Sequence, residues 1–170
     1  MSLILGILLL LLIVAAMILW FFLQPRLSGG ADLSLLKANY AHRGLWDERQ
    51  PNASPDALAL AARLGYGIKL EVGMTRNRTL MVVGATPLPL SQVLTLLNGK
   101  APLMLEIGGK KPSYRLCLAL AQRMDTYEGP FSIISHDPKI LAWFKTYRPS
   151  FARGQMISPR SDFSTLYLQK

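Results

Sequence analysis

His42 and Arg43 stand side by side, with Gly44 after them, where a short strand-like entry, Asn39–Ala41, gives way to a polar loop. An imidazole moves protons near neutral pH, and a guanidinium grips phosphate through two parallel hydrogen bonds. A glycine lets the backbone come close to whatever is bound. Together these residue types would make an anion site. They would equally make a solvated turn at a strand end, and three residues alone do not separate the two. Further along, Glu71, Glu106 and Ser135 close short apolar runs, IKLEV, LMLEI and FSIIS, so each falls at the end of an expected strand.

Alternating elements must position these groups. Asn39–His42 reads as a strand, and Ser54–Leu64 as a helix with Ser54 as N-cap, Pro55 at its first position and Asp56 in its first turn. Gly65-Tyr66-Gly67 ends that helix. Ile68–Val72 and Thr79–Val83 read as strands on either side of Arg76-Asn77-Arg78. Leu90–Leu97 reads as a helix closed by Asn98-Gly99, and Leu103–Ile107 as a strand. Pro112–Tyr127 repeats Leu116, Leu120 and Met124 at helical spacing. Phe131–Ser135 is the next strand, Pro138–Tyr147 the next helix, and Phe151–Gly154 a last strand fragment. Strands alternating with helices imply a parallel β/α sheet, and His42, Glu71, Glu106 and Ser135 fall at strand C-terminal ends, where barrels of this class carry their chemistry. A closed barrel has eight strands and about 250 residues; about six strands and about 140 residues are in view here, so the expected fold is an incomplete, TIM-barrel-like parallel α/β sheet.

Leu3–Leu23 carries no charge and is long enough to cross a bilayer as a helix. Neither a basic residue before it nor a small-x-small site after it supports a cleaved signal, so a single-pass anchor is expected, with Trp20, Phe21 and Phe22 at the interface. The expected division is 1–24 anchor, 25–38 linker containing Ser28-Gly29-Gly30, 39–158 folded domain and 159–170 tail. Arg26, Lys37 and Arg43 lie beyond the run, and the positive-inside tendency places the domain in the cytoplasm. All 19 Lys and Arg and all 10 Asp and Glu also lie beyond it, so the domain side carries the whole formal +9. No zinc spacing, helix-turn-helix pattern or RNA motif accompanies that charge. The expected partner is membrane lipid rather than nucleic acid. The single cysteine, Cys117, excludes an internal disulfide.

From Tyr40 to Ser158 the sequence resembles the glycerophosphodiester phosphodiesterase family, in particular its membrane-anchored bacterial members. The likeness rests on an ordered series. It begins with His42-Arg43-Gly44, then Pro51-Asn52-Ala53-Ser54 where the family reads PEN[ST]. Gly65–Val72 (GYGIKLEV) stands where it reads GYGIELDV, Val82-Val83 where a strand precedes its HD, and Leu105-Glu106-Ile107 where it reads an EIK strand. Arg148-Pro149 and Arg153-Gly154-Gln155 follow. The resemblance implies a TIM-type barrel that cleaves glycerophosphodiesters, with two histidines sharing acid and base work and a calcium or magnesium ion held by carboxylates.

The departures fall on the chemistry. Ala85 stands where the resemblance implies the second histidine, Asn52 where it implies a glutamate, and Lys69 where it implies the first carboxylate of the strand pair. Glu71 and Glu106 stand at the remaining carboxylate positions, and Gly108, with Lys110 and Lys111 nearby, replaces a lysine. The stretch Ala85–Leu90 shortens the loop that would shape a pocket. Lys69 and Glu71 share a strand face, so the Lys69 ammonium is expected to sit in the ion's place, paired with Glu71 and Glu106; the alternative is a lysine turned outward and unpaired. No cofactor is then expected, and calcium or magnesium only if the family site survives. His136 is expected to introduce a helix rather than replace the missing acid. Three functions follow. The first is a pseudoenzyme keeping at most phosphate or lipid head-group binding through His42 and Arg43. The second is a rewired phosphodiester hydrolase of lipid metabolism with His42 as base, and the third a membrane assembly protein. A protein partner or a second copy is expected over the open barrel edges.

Overall fold

Two compact units, 1–31 and 32–170, make up the chain. The computed structural model describes residues 2–23, 35, 37–108 and 113–157. Most of the expected linker, the expected tail and Lys110-Lys111 lie outside these residues. Helix α1, Ser2–Leu23, has 22 residues and no charged residue in its first or last turn. At about 1.5 Å per residue it reaches about 33 Å, past the hydrocarbon thickness of a bilayer. Its span Ile4–Phe21 is long and apolar enough to cross a membrane, and none of it is buried. Near an N-terminus, a signal sequence can meet the same criteria of length and hydropathy.

The second unit is one sheet with helices packed on it. In chain order it runs β1 (Tyr40–His42), α2 (Pro55–Arg63), β2 (Gly67–Met74), β3 (Leu80–Val82), β4 (Leu88–Pro89), α3 (Leu90–Leu97), β5 (Leu103–Ile107), α4 (Tyr114–Met124), β6 (Phe131–Ser135), α5 (Pro138–Tyr147) and β7 (Ala152–Gln155). Strands β1, β2, β5, β6 and β7 pair in parallel in that spatial order. Each parallel step after β2 is made through a helix, as parallel strands require. This is a β/α sheet of the barrel-forming kind. Among the described residues β7 and β1 do not pair with each other, so the described strands do not close a barrel.

The expectation of about six parallel strands needs correction. Strand β3 is antiparallel to the far end of β2, pairing Val72 with Val82 and Met74 with Leu80, and β4 continues antiparallel on β3. The reason is the link Thr75–Thr79, a tight turn closed by Thr75 N–H donating to the Thr79 carbonyl at 3.0 Å. Such a turn is too short for a crossover. Strand β4 is two residues, preceded by Pro87 and ending in Pro89, so it shows no alternation; proline confines it to an edge.

Alternation along the parallel strands sorts the residues into two faces. Ile68, Leu70, Val72, Leu103, Leu105, Ile107 and Ile133 are buried against the helices. Leu58 and Ala61 of α2, Val93 and Leu97 of α3, Leu120 and Met124 of α4 and Phe144 of α5 meet them there. The residues between, Lys69, Glu71, Met104 and Glu106, point to the other face and are only partly covered. A slip of one residue would drive three charges into this apolar layer, so the pattern itself sets the register. At the strand-entry end the ring of Tyr40 lies across Gly67, where a Cβ would come within 2.6 Å of it, and the Tyr40 hydroxyl donates to the Leu35 carbonyl at 2.9 Å.

Candidate functional site

The polar face gathers the predicted residues because three strands present them in register. His42 at the end of β1 lies beside Lys69 of β2, and Glu71 of β2 lies beside Glu106 of β5. Just past β1 the chain turns through Arg43 and Gly44, both with left-handed backbones at φ 60° and 85°. Arg43 holds that turn from both sides: its N–H donates to the Lys69 carbonyl and its own carbonyl accepts from Ala53 N–H, each at 2.8 Å. Gly44 is needed here for its left-handed backbone and for packing: a Cβ there would stand 2.7 Å from the Ala57 carbonyl oxygen of α2.

Each carboxylate has its own cation. Arg43 Nη2 donates to Glu71 Oε2 at 3.0 Å, and Lys69 Nζ stands 3.0 Å from Glu106 Oε2. Lys69 is therefore turned in and paired, as expected, but with Glu106 alone; the expected second pair, to Glu71, is taken over by Arg43. The reason is the turn at Arg43, which brings its side chain back over β2. The guanidinium that was expected to grip phosphate is thereby engaged with a carboxylate, although its Nε is buried with no hydrogen-bond partner among the described residues. The four charges cancel.

His42 is exposed, and its carbonyl accepts from Trp46 Nε1 at 3.2 Å. Its pKa is lowered first by partial burial, then by the positive charges of Lys69 and Arg43, against a smaller opposite pull from Glu106 and Glu71. The imidazole is accordingly neutral at neutral pH and able to accept a proton. A second imidazole lies at the rim: His136 Nε2 is 3.9 Å from Glu106 Oε1, with nearly half its side chain exposed. The sequence placed His136 ahead of a helix. In the structure it immediately precedes Asp137, whose carboxylate caps α5 by accepting from Lys139 N–H at 2.8 Å.

Asn52 and Ala85 hold each other. Val83 N–H donates to the Glu71 carbonyl at 2.9 Å, which brings the end of β3 to the site. Ala85 N–H then donates to Asn52 Oδ1 at 3.1 Å, with the Asn52 carbonyl at 3.3 Å. Gly84 packs so closely on Ala53 that a Cβ there would overlap the alanine methyl. The methyl side chain of Ala85 cannot exchange protons. Ser135 closes β6 as expected, but it does not share the polar face with the charged residues. It is buried on the helix side, where its hydroxyl donates to the Ile107 carbonyl at 2.8 Å and accepts from Asp137 N–H at 3.1 Å. Sequence reasoning also missed the Arg43–Glu71 pair and the Asn52–Ala85 clip. Both depend on left-handed turns at non-glycine residues, Arg43 and Ala53, which no local pattern announces.

The donor set does not suit a divalent cation. Calcium takes about six to eight oxygens, and magnesium an octahedron of them. Among the described residues no group of three or more His, Cys, Asp or Glu side chains comes together as a ligand set. Cavities elsewhere lie away from the charges. One, bounded by Leu94, Asn98, Arg123, Tyr127 and Gly129, lies toward the strand-entry end, and another, on α4 and α5, is bounded by Tyr114, Trp143 and Tyr147.

Searches of protein-family models and of curated proteins find no match to this sequence. Solved structures do match. The chain is similar to a glycerophosphodiester phosphodiesterase from Parabacteroides distasonis ATCC 8503, with a TM-score of 0.62 and 19% identity over 72% of this chain and 67% of that one. It is also similar to an Oleispira antarctica phosphodiesterase in complex with its product sn-glycerol-3-phosphate, with a TM-score of 0.61 and 17% identity over 76% of this chain and 70% of that one. At such identities the likeness establishes the fold, a TIM-barrel-like α/β sheet.

Proposed function

We propose that this chain is a membrane-anchored member of the glycerophosphodiester phosphodiesterase family that has lost turnover and keeps binding of a phosphate or phosphodiester head group. The observation that carries the reading is the Asn52–Ala85 clip: the position of a second proton carrier is filled by a methyl group and held by its backbone. Displacement at phosphorus needs a proton acceptor, a proton donor and positive charge against the phosphoryl oxygens. Neutral His42 can accept. Lys69 and Arg43 supply positive charge, but each is already paired with a carboxylate. Loss of one acid–base group commonly costs about 10² to 10⁴ in rate. The fold likeness and a neighbour holding sn-glycerol-3-phosphate support the head-group reading.

Helix α1 would serve as the anchor, with the domain on the cytoplasmic side. There its excess of Lys and Arg would meet anionic lipid at roughly 1 kcal/mol for each side chain near the surface. A partner protein or a second copy would cover the open edges at β1 and β7. Binding is tested by following the His42 imidazole resonances of the full chain in detergent micelles as glycerol 3-phosphate is added. Saturable shifts that are lost in Arg43→Gln are expected; unmoved resonances at millimolar ligand contradict the reading.

His136 favours a second reading, a rewired hydrolase of lipid phosphodiesters. Its position 3.9 Å from Glu106 puts a second imidazole at the same rim as His42. In that reading His42 is the base, Lys69 the electrophile and His136 the donor, and His136→Ala abolishes turnover.

A further inference from the structure

Glu71 and Glu106 lie directly opposite each other on neighbouring parallel strands and on one face. Neighbouring strands are about 4.8 Å apart, and carboxylates side by side on them disfavour each other's ionisation unless a cation lies between or beside them. Such a pair could supply two of the oxygens that a hard divalent ion takes. Here both charges are met from within the chain, Glu106 by Lys69 and Glu71 by Arg43, each at 3.0 Å. Further oxygen donors are also withdrawn. Asn52 Oδ1 is occupied by Ala85 N–H. At position 108 a Cβ would stand 3.0 Å from Glu71 Oε1, so the glycine leaves room for the carboxylate and adds no ligand.

We infer that the Lys69 ammonium is a tethered substitute for a divalent cation, so that the site excludes calcium and magnesium and meets a phosphate ester with fixed positive charge alone. The exclusion stands on the ion pairs; the phosphate half rests on the head-group reading above. Positions 69, 71 and 106 share a face, so a carboxylate at 69 would remove the ammonium and bring together three acidic side chains, more negative charge than the Arg43 guanidinium neutralises, and a cation from solution would then be drawn in.

The test is calorimetric titration of the full chain in detergent micelles with calcium chloride and with magnesium chloride. The wild type should give no saturable uptake. Lys69→Glu should take up one calcium ion saturably and lose that uptake when Glu106→Gln is added. Saturable uptake by the wild type that disappears in Glu106→Gln would overturn the inference, as would a Lys69→Glu chain that keeps its far-ultraviolet dichroism and binds no ion. If Lys69→Glu does not fold, the wild-type titration decides alone. Glycerol 3-phosphate is then titrated with EDTA and with calcium. Equal affinity in both is expected, and binding only with calcium overturns the inference. No binding in either, with no metal uptake, sinks the head-group reading while the cation exclusion stands.

Discussion

At the residue scale, the charges on the polar face depend on one another. Lys69 and Glu106 are mostly covered, with 22% and 15% of their side chains exposed. Removing one partner leaves a desolvated charge, which costs more than the pair contributes. Lys69→Met should therefore lower stability by about 1–3 kcal/mol in urea denaturation, and Lys69→Met with Glu106→Gln should recover part of that loss. His42 gives a second prediction. Its midpoint, followed by NMR, should lie below the ordinary value of about 6.5 and rise in Lys69→Met, since a repelling charge is gone. Because the folded-state pKa is lowered, the unfolded chain binds this proton more readily. The His42 contribution to stability is thus present above the ordinary midpoint and falls away as pH drops through the lowered one. The site was partly legible in the sequence: strand alternation put Lys69 and Glu71 on one face, and short apolar runs marked Glu106. The partner of Glu71 was not legible, because Arg43 reaches it only through a left-handed turn.

At the element scale, the helices were the readable part. Ser54 caps α2 as expected, accepting from Ala57 N–H at 3.2 Å, and α3 runs Leu90–Leu97 with left-handed Asn98 after it. These signals are local, set by side chains within a turn of each other. Strand pairing is not local. The sequence showed a run at Thr79–Val83 but not that it folds back on β2, nor that Leu88–Pro89 adds an edge. That hairpin delivers Ala85 to Asn52, and the clip can be tested alone. Asn52→Ala should cost about 0.5–1.5 kcal/mol and speed hydrogen exchange at the Ala85 amide, leaving amides of α4 unchanged. Unchanged exchange at Ala85 would mean that the clip does not hold the loop.

At the scale of the whole molecule, a basic domain follows an apolar helix, and the parallel strands end on two edges, β1 and β7, that no described strand joins. The alternation of strands and helices bounded the fold class from sequence, since parallel neighbours need a helical crossover between them. How the edges are covered could not be read, because that depends on contacts outside the local pattern. If α1 is an anchor, the full chain should stay in the membrane pellet through high salt and alkaline carbonate; release by salt would leave only electrostatic attachment. A reporter fused after Lys170 should be active in the cytoplasm. The central claim, a phosphodiesterase fold whose site binds without turning over, is met most directly by assaying the purified full chain with glycerophosphocholine, in calcium and in EDTA. No turnover above that of His42→Ala is expected in either condition. Calcium-stimulated hydrolysis at about 1 s⁻¹ or faster, abolished by His42→Ala, would contradict it.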